Sequence, residues 1–167
     1  YYPQGFRFPL VPIDHDLGAI EVAREAATLL MLLAPGALVS RSALERSAWF
    51  CFCFGVWDLF YYIWLKVFLD WPASLLDWDI LFLIPVPWVG PVLAPCLLSI
   101  GLIALALILL HGRARSPLFG PSARHWILMI MGAVVMVLAF MLDHLAFLQR
   151  QGALGAAWSL RPGSEAT

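Results

Sequence analysis

Four apolar stretches, near residues 17–34, 48–69, 91–110 and 126–148, constrain this chain more than any motif in it. A helix rises about 1.5 Å per residue, so about 20 apolar residues cross the roughly 30 Å hydrocarbon core of a bilayer. Of 167 residues, 62% are hydrophobic and only 13% charged. A soluble domain is about 45–50% apolar and about 25% charged, and a short one exposes much of its surface. The surplus must face lipid. The expected fold class is therefore all-α, a polytopic membrane helical bundle of about four transmembrane helices. It forms one domain over residues 1–150, with a polar tail at 151–167.

The first stretch is the weakest. Asp16 is a plausible N-cap, Glu21, Arg24 and Glu25 crowd the first turns, and Pro35-Gly36 is the expected stop. An amphipathic helix lying at the interface competes with a span here. After a polar connection at 40–46, the second stretch carries one interior acid, Asp58, with Lys66 near its end and Asp70-Trp71-Pro72 closing it. Residues 75–90 are apolar but interrupted by Pro85 and Pro87, which lack a backbone donor. They read as a short interfacial or re-entrant element before the third helix, or as part of one long kinked helix over 75–110. Pro91 suits a first helical position. No signal peptide is read in residues 1–16, which lack a basic n-region.

Orientation follows the cations. Loops 40–46 and 111–125 share one side and hold five Arg, whereas loop 70–90 holds three Asp and neither Lys nor Arg. Arg7, Arg150 and Arg161 lie on the second side, so the bias is modest. The positive-inside rule puts the Arg-rich loops in the cytoplasm and both termini outside, as in a bacterial inner membrane. Net charge is −1, which gives nucleic acid no electrostatic footing. The partners expected are the lipid bilayer and other membrane subunits.

This topology brings the ionisable groups to one depth. Glu21, Arg24 and Glu25 lie at the outer end of the first helix, Asp58, Tyr61, Tyr62 and Lys66 from the middle of the second outward, and Asp143 and His144 near the outer end of the fourth. Glu21 and Glu25 share a face at i,i+4. Gly55, Asp58, Tyr62 and Lys66 form one stripe. An acid facing hydrocarbon costs at least about 2.5–3.5 kcal/mol on the insertion scale, so these groups should converge inside the bundle.

Three readings compete. In the first, the cluster is a paired structural network in a small membrane subunit, with Arg24 and Lys66 neutralising Glu21, Glu25, Asp58 and Asp143. In the second, Glu21, Glu25, Asp58 and His144 form an outward-facing site for a divalent metal or for acid/base chemistry, since carboxylates and imidazole suit such ions. In the third, the cluster translocates protons or ions, although the inner halves of the helices look dry. HExxH, GxSxG, P-loop, GxGxxG and CxxCH motifs are absent, so no cofactor beyond such a metal is implied.

Minor candidates have ordinary readings. Cys51, Cys53 and Cys96 fit buried small hydrophobes. His15 fits an exposed loop, and His111 and His125 fit helix ends. Trp57, Trp64, Trp71, Trp78 and Trp88 fit interfacial anchors, with a stacking site for an aromatic or quinone-like ligand as a lesser alternative. Asp77 and Asp79 read as a solvated turn, and Gly101 and Gly132 as close helix-packing points.

Overall fold

The structure is a computed structural model. It describes the backbone of residues 15–84 and 88–159, and the side chains of 18–84 and 88–142. Four helices, α1 (His15–Val39), α2 (Ala43–Leu69), α3 (Leu93–Arg115) and α4 (Ala123–Ser159), account for most of it. Between α2 and α3 stand two short strands, β1 (Trp78–Phe82) and β2 (Trp88–Pro91). Each helix contains a segment long and apolar enough to cross a membrane: Gly18–Val39, Ala43–Leu69, Leu93–Arg115 and Ala123–Leu142. The protein is a polytopic membrane helical bundle with a small β-hairpin.

All four helices run longer than the sequence reading. α1 continues through Pro35-Gly36. Ending it there would leave carbonyls and amides without partners, which lipid does not forgive, whereas Pro35 removes only one donor. Gly36 is also where α2 comes closest: a Cβ there would stand 2.8 Å from the Arg46 carbonyl oxygen and 3.1 Å from Trp49 Cβ. Asp16 lies inside the first turn of α1 rather than ahead of it. α2 starts within the expected polar connection, because Ser42 caps it by accepting a hydrogen bond from the Glu45 amide at 3.2 Å. Ser42 and Glu45 have the S-x-x-E spacing of a capping box. α4 extends to Ser159, into the segment read as a polar tail.

The Pro-broken element is the hairpin. β1 and β2 pair antiparallel, Trp78 opposite Pro91 and Ile80 opposite Val89, with an irregularity between Ile80 and Phe82. Pro85 and Pro87 lie outside the described residues. The Val92 amide donates to the Asp77 carbonyl at 3.0 Å and the Leu93 amide to the Leu75 carbonyl at 2.7 Å, tying the loop to the start of α3.

α2 is central, packed between α1 and α3, while α4 meets the rest mainly through β2. The Phe140 ring stacks on Trp88, centroids 6.4 Å apart, and lies over Gly90, where a Cβ would meet it at 3.1 Å. None of the 18 most apolar residues of α4 is buried. Gly101 and Gly132 face open space, so within the described residues neither is the packing point expected of it. The three cysteines are free thiols and half-buried rather than buried.

Candidate functional site

The α2 stripe faces inward. Gly55, Asp58 and Tyr62 are buried in consecutive turns. At Gly55, α3 comes so close that a Cβ would stand 2.7 Å from the Ser99 carbonyl oxygen and 2.8 Å from the Ile103 side chain. That contact sets the depth at which Asp58 and Ser99 meet. The fully buried Ser99 hydroxyl donates to Asp58 Oδ2 at 2.8 Å. One turn further on, the Tyr62 hydroxyl donates to Asp79 Oδ2 on β1 at 3.2 Å, and Asp79 Oδ1 accepts from the Ile80 amide at 2.9 Å.

Glu25 completes the arrangement from α1. Its two oxygens accept from the Leu83 amide at 3.1 and 3.0 Å, at the end of β1. Because strand β1 stops at Phe82, the Leu83 amide lies beyond the ladder and takes the carboxylate instead. Three buried acids thus join four elements: Glu25 ties α1 to the hairpin, Asp58 ties α2 to α3, and Asp79 ties the hairpin to α2.

Of the acids assigned to the two cations, Glu21 is paired as expected. Arg24 donates from Nε to Glu21 Oε2 at 2.7 Å along one face of α1. Lys66 pairs with Asp70 at 2.7 Å and donates to the Pro72 carbonyl at 3.0 Å. Direct neutralisation of Glu25 and Asp58 by Arg24 and Lys66 is therefore corrected: both acids take neutral donors. Each donor offsets part of the desolvation penalty of a buried oxygen without adding a second buried charge.

Asp79 corrects another reading. It is not part of a solvated turn but buried, with 6% of its surface exposed. Burial pushes its carboxyl up to about 6; the Tyr62 and Ile80 donors oppose that rise and the Asp58 carboxylate adds to it. Asp70 is held below its usual value by Lys66, through their hydrogen bond and their opposite charges. Ser99 escaped the sequence reading too, although it is a lone hydroxyl in the middle of an apolar helix.

Asp143 and His144 stand on α4, but their side chains, like that of His15, lie outside the described residues. Among the described residues, the main contact of α4 is with β2. Among the described residues no three His, Cys, Asp or Glu side chains gather closely enough to hold a metal ion. Glu21, Glu25 and Asp58 have separate hydrogen-bond partners: Arg24, the Leu83 amide and Ser99. Tyr61 sits on another face of α2, stacked on Trp57 at 6.1 Å, beside a groove of about 590 Å³ that Phe60, Trp64 and Phe68 also line.

The fold and the polar network together define a membrane helical bundle, with four helices long and apolar enough to span, that holds an internal hydrogen-bonded acid network. No protein-family model, curated protein or solved structure matches this chain.

Proposed function

We propose that this protein is a non-catalytic subunit of a larger membrane assembly, and that its acid network is a structural fastener. One observation carries this reading: Glu25, Asp58 and Asp79 each take a hydrogen bond from another part of the same chain. A catalytic or metal site needs carboxylate oxygens turned toward a ligand, whereas these are turned toward a strand end, a serine and a tyrosine. The uncovered α4 supports the second half of the proposal. Within Ala123–Leu142 none of the most apolar residues of α4 is buried, which leaves a face available to neighbours in the bilayer.

The proposed orientation keeps the hairpin, and with it the acid network, in the outer half of the membrane. The positive-inside rule supports it, with Arg41, Arg46, Arg113, Arg115 and Arg124 at the opposite end. There Arg113 pairs with Glu45 at 3.2 Å and also donates to the Pro117 carbonyl, packing the loop onto the bundle. A bacterial inner membrane is the setting this orientation suits.

Purification in a mild detergent tests the proposal. The expected result is a species well above 18.6 kDa after allowance for detergent, containing further polypeptides and no stoichiometric metal. Stoichiometric metal that disappears in Glu25→Gln would replace the fastener with a ligand site.

A further inference from the structure

A second feature borders the acid network at Tyr62, toward the C-terminal end of α2. A cavity of about 340 Å³ opens between α2, the 72–75 loop and the start of α3. Small-molecule sites are about 300–1,000 Å³, so it takes part of an amphiphile rather than a whole one. Its walls divide by chemistry: Leu59, Ile63 and Leu75 are apolar, while Lys66, Ser74 and the Cys96 thiol are not.

The polar end is built. Asp70 ends α2 in the left-handed conformation, at φ 50°, with its amide bonded to the Lys66 carbonyl. This places its carboxylate beside the Lys66 ammonium. An ammonium has three donors, of which the Pro72 carbonyl and Asp70 take two. The Asp70 side chain is 92% exposed, so its remaining lone pairs are open to water. The loop wall is held by the Val92 and Leu93 amides and by the Ser74 amide, which donates to Asp77 at 3.0 Å. Lys66, which lines the cavity, is thus flanked by the exposed Asp70 carboxylate just past the end of the α2 span, and apolar side chains line the same cavity.

We propose that this cavity binds a phospholipid with a phosphoethanolamine headgroup. The phosphate takes the third Lys66 donor and the Ser74 hydroxyl, the primary ammonium reaches Asp70, and one acyl chain lies along Leu59 and Ile63. The pairing is charge-complementary at both ends. A phosphatidylglycerol headgroup satisfies Lys66 but brings no cation to Asp70. A choline headgroup carries the charge but has no N–H to donate.

Cys96 lines the cavity and serves as a reporter. In a Cys51→Ser/Cys53→Ser variant, its reaction with a membrane-permeant maleimide is timed in vesicles of phosphatidylcholine alone, or with added phosphatidylethanolamine or phosphatidylglycerol. Only empty sites react, so a site nine-tenths occupied slows labelling about tenfold. Phosphatidylethanolamine should slow it; phosphatidylglycerol should not. Asp70→Asn, at an exposed position that leaves the fold intact, and Lys66→Gln should each remove the protection. Cys53, timed in a Cys51→Ser/Cys96→Ser variant, should react equally in all three vesicles. Equal rates at Cys96 in every lipid, equal protection by phosphatidylglycerol, or protection that survives both substitutions would each overturn the proposal.

Discussion

Ser99 meets Asp58 only because Gly55, one turn away, lets α3 approach within van der Waals contact. The two residues therefore fail in different ways. Ser99→Ala leaves a buried carboxylate oxygen without its donor and should cost about 1–3 kcal/mol. Gly55→Ala forces the helices apart against backbone, which does not yield, and should cost a similar 1–3 kcal/mol through overpacking. Asp58→Asn in the Ser99→Ala background should recover part of the loss by removing the charge, but should recover nothing with Gly55→Ala. Thermal denaturation of the single and double variants in detergent measures both. Asp79 gives a pH dependence whose sign is set by its raised pKa. Its carboxyl rises from 3.8 to about 6 when the hairpin is docked, so the proton stabilises docking. That contribution is complete below about 3.8, fades as pH rises through about 6, and is worth at most about 3 kcal/mol at about 1.4 kcal/mol per unit. Amide exchange in residues 78–84, corrected for intrinsic rates, should therefore be better protected near pH 5 than near pH 7.5. Asp79→Asn keeps the acceptor for Tyr62 and should flatten the difference; a profile unchanged by that substitution would remove Asp79 from the account.

At the scale of elements, the helices were legible because length and hydropathy are cumulative signals, and no single residue decides them. Their ends were not. The stop read at Pro35-Gly36 comes from water-soluble helices, where solvent takes over freed backbone groups; within lipid α1 continues. The start of α2 is legible in the Ser42–Glu45 spacing, although Arg41 and Arg46 give the same segment the composition of a polar connection. For 75–90, the prolines correctly excluded a full span. The β-branched and aromatic runs Trp78–Phe82 and Trp88-Val89, on either side of a Pro-Val-Pro sequence, carried the hairpin signal. The α2 stripe was legible from helical periodicity, but its partners were not: Ser99 and the Leu83 amide reach it through tertiary packing alone. The link between α1 and the hairpin is the Glu25 carboxylate on the Leu83 amide. Glu25→Ala should raise the exchange rate at Leu83 by roughly tenfold to a hundredfold, as about 1.4–3 kcal/mol of local protection is lost. Glu25→Gln, which keeps an acceptor, should do so less. Equal exchange in wild type and Glu25→Ala would mean that the hairpin is held by β2 and α4 instead.

At the scale of the whole molecule, the unequal packing of the helices joins structure to the proposed role. α1, α2 and α3 form a row held by the acid network toward the hairpin and by the Arg113–Glu45 pair at the far end, while α4 leans on that hairpin through Phe140 and Trp88. One membrane frame has to serve every element, because the hairpin end of α1, α2, α3 and α4 is the same end. Ser74 lies at that end and Ser116 at the other, both exposed. With the native cysteines replaced, Ser74→Cys should react with a membrane-impermeant maleimide added outside sealed cells, and Ser116→Cys only after the cells are opened. Neither position lies within a predicted span, so the result does not depend on how deeply each helix sits. Reaction at Ser116→Cys in sealed cells would turn the whole molecule over at once. The acid network, the Lys66–Asp70 rim and the aromatic face of α2 would then belong to the cytoplasmic leaflet. Their internal geometry would survive, but the five Arg at the opposite end would contradict the positive-inside rule. Reaction at both positions would mean that α3, the one helix between them, does not cross.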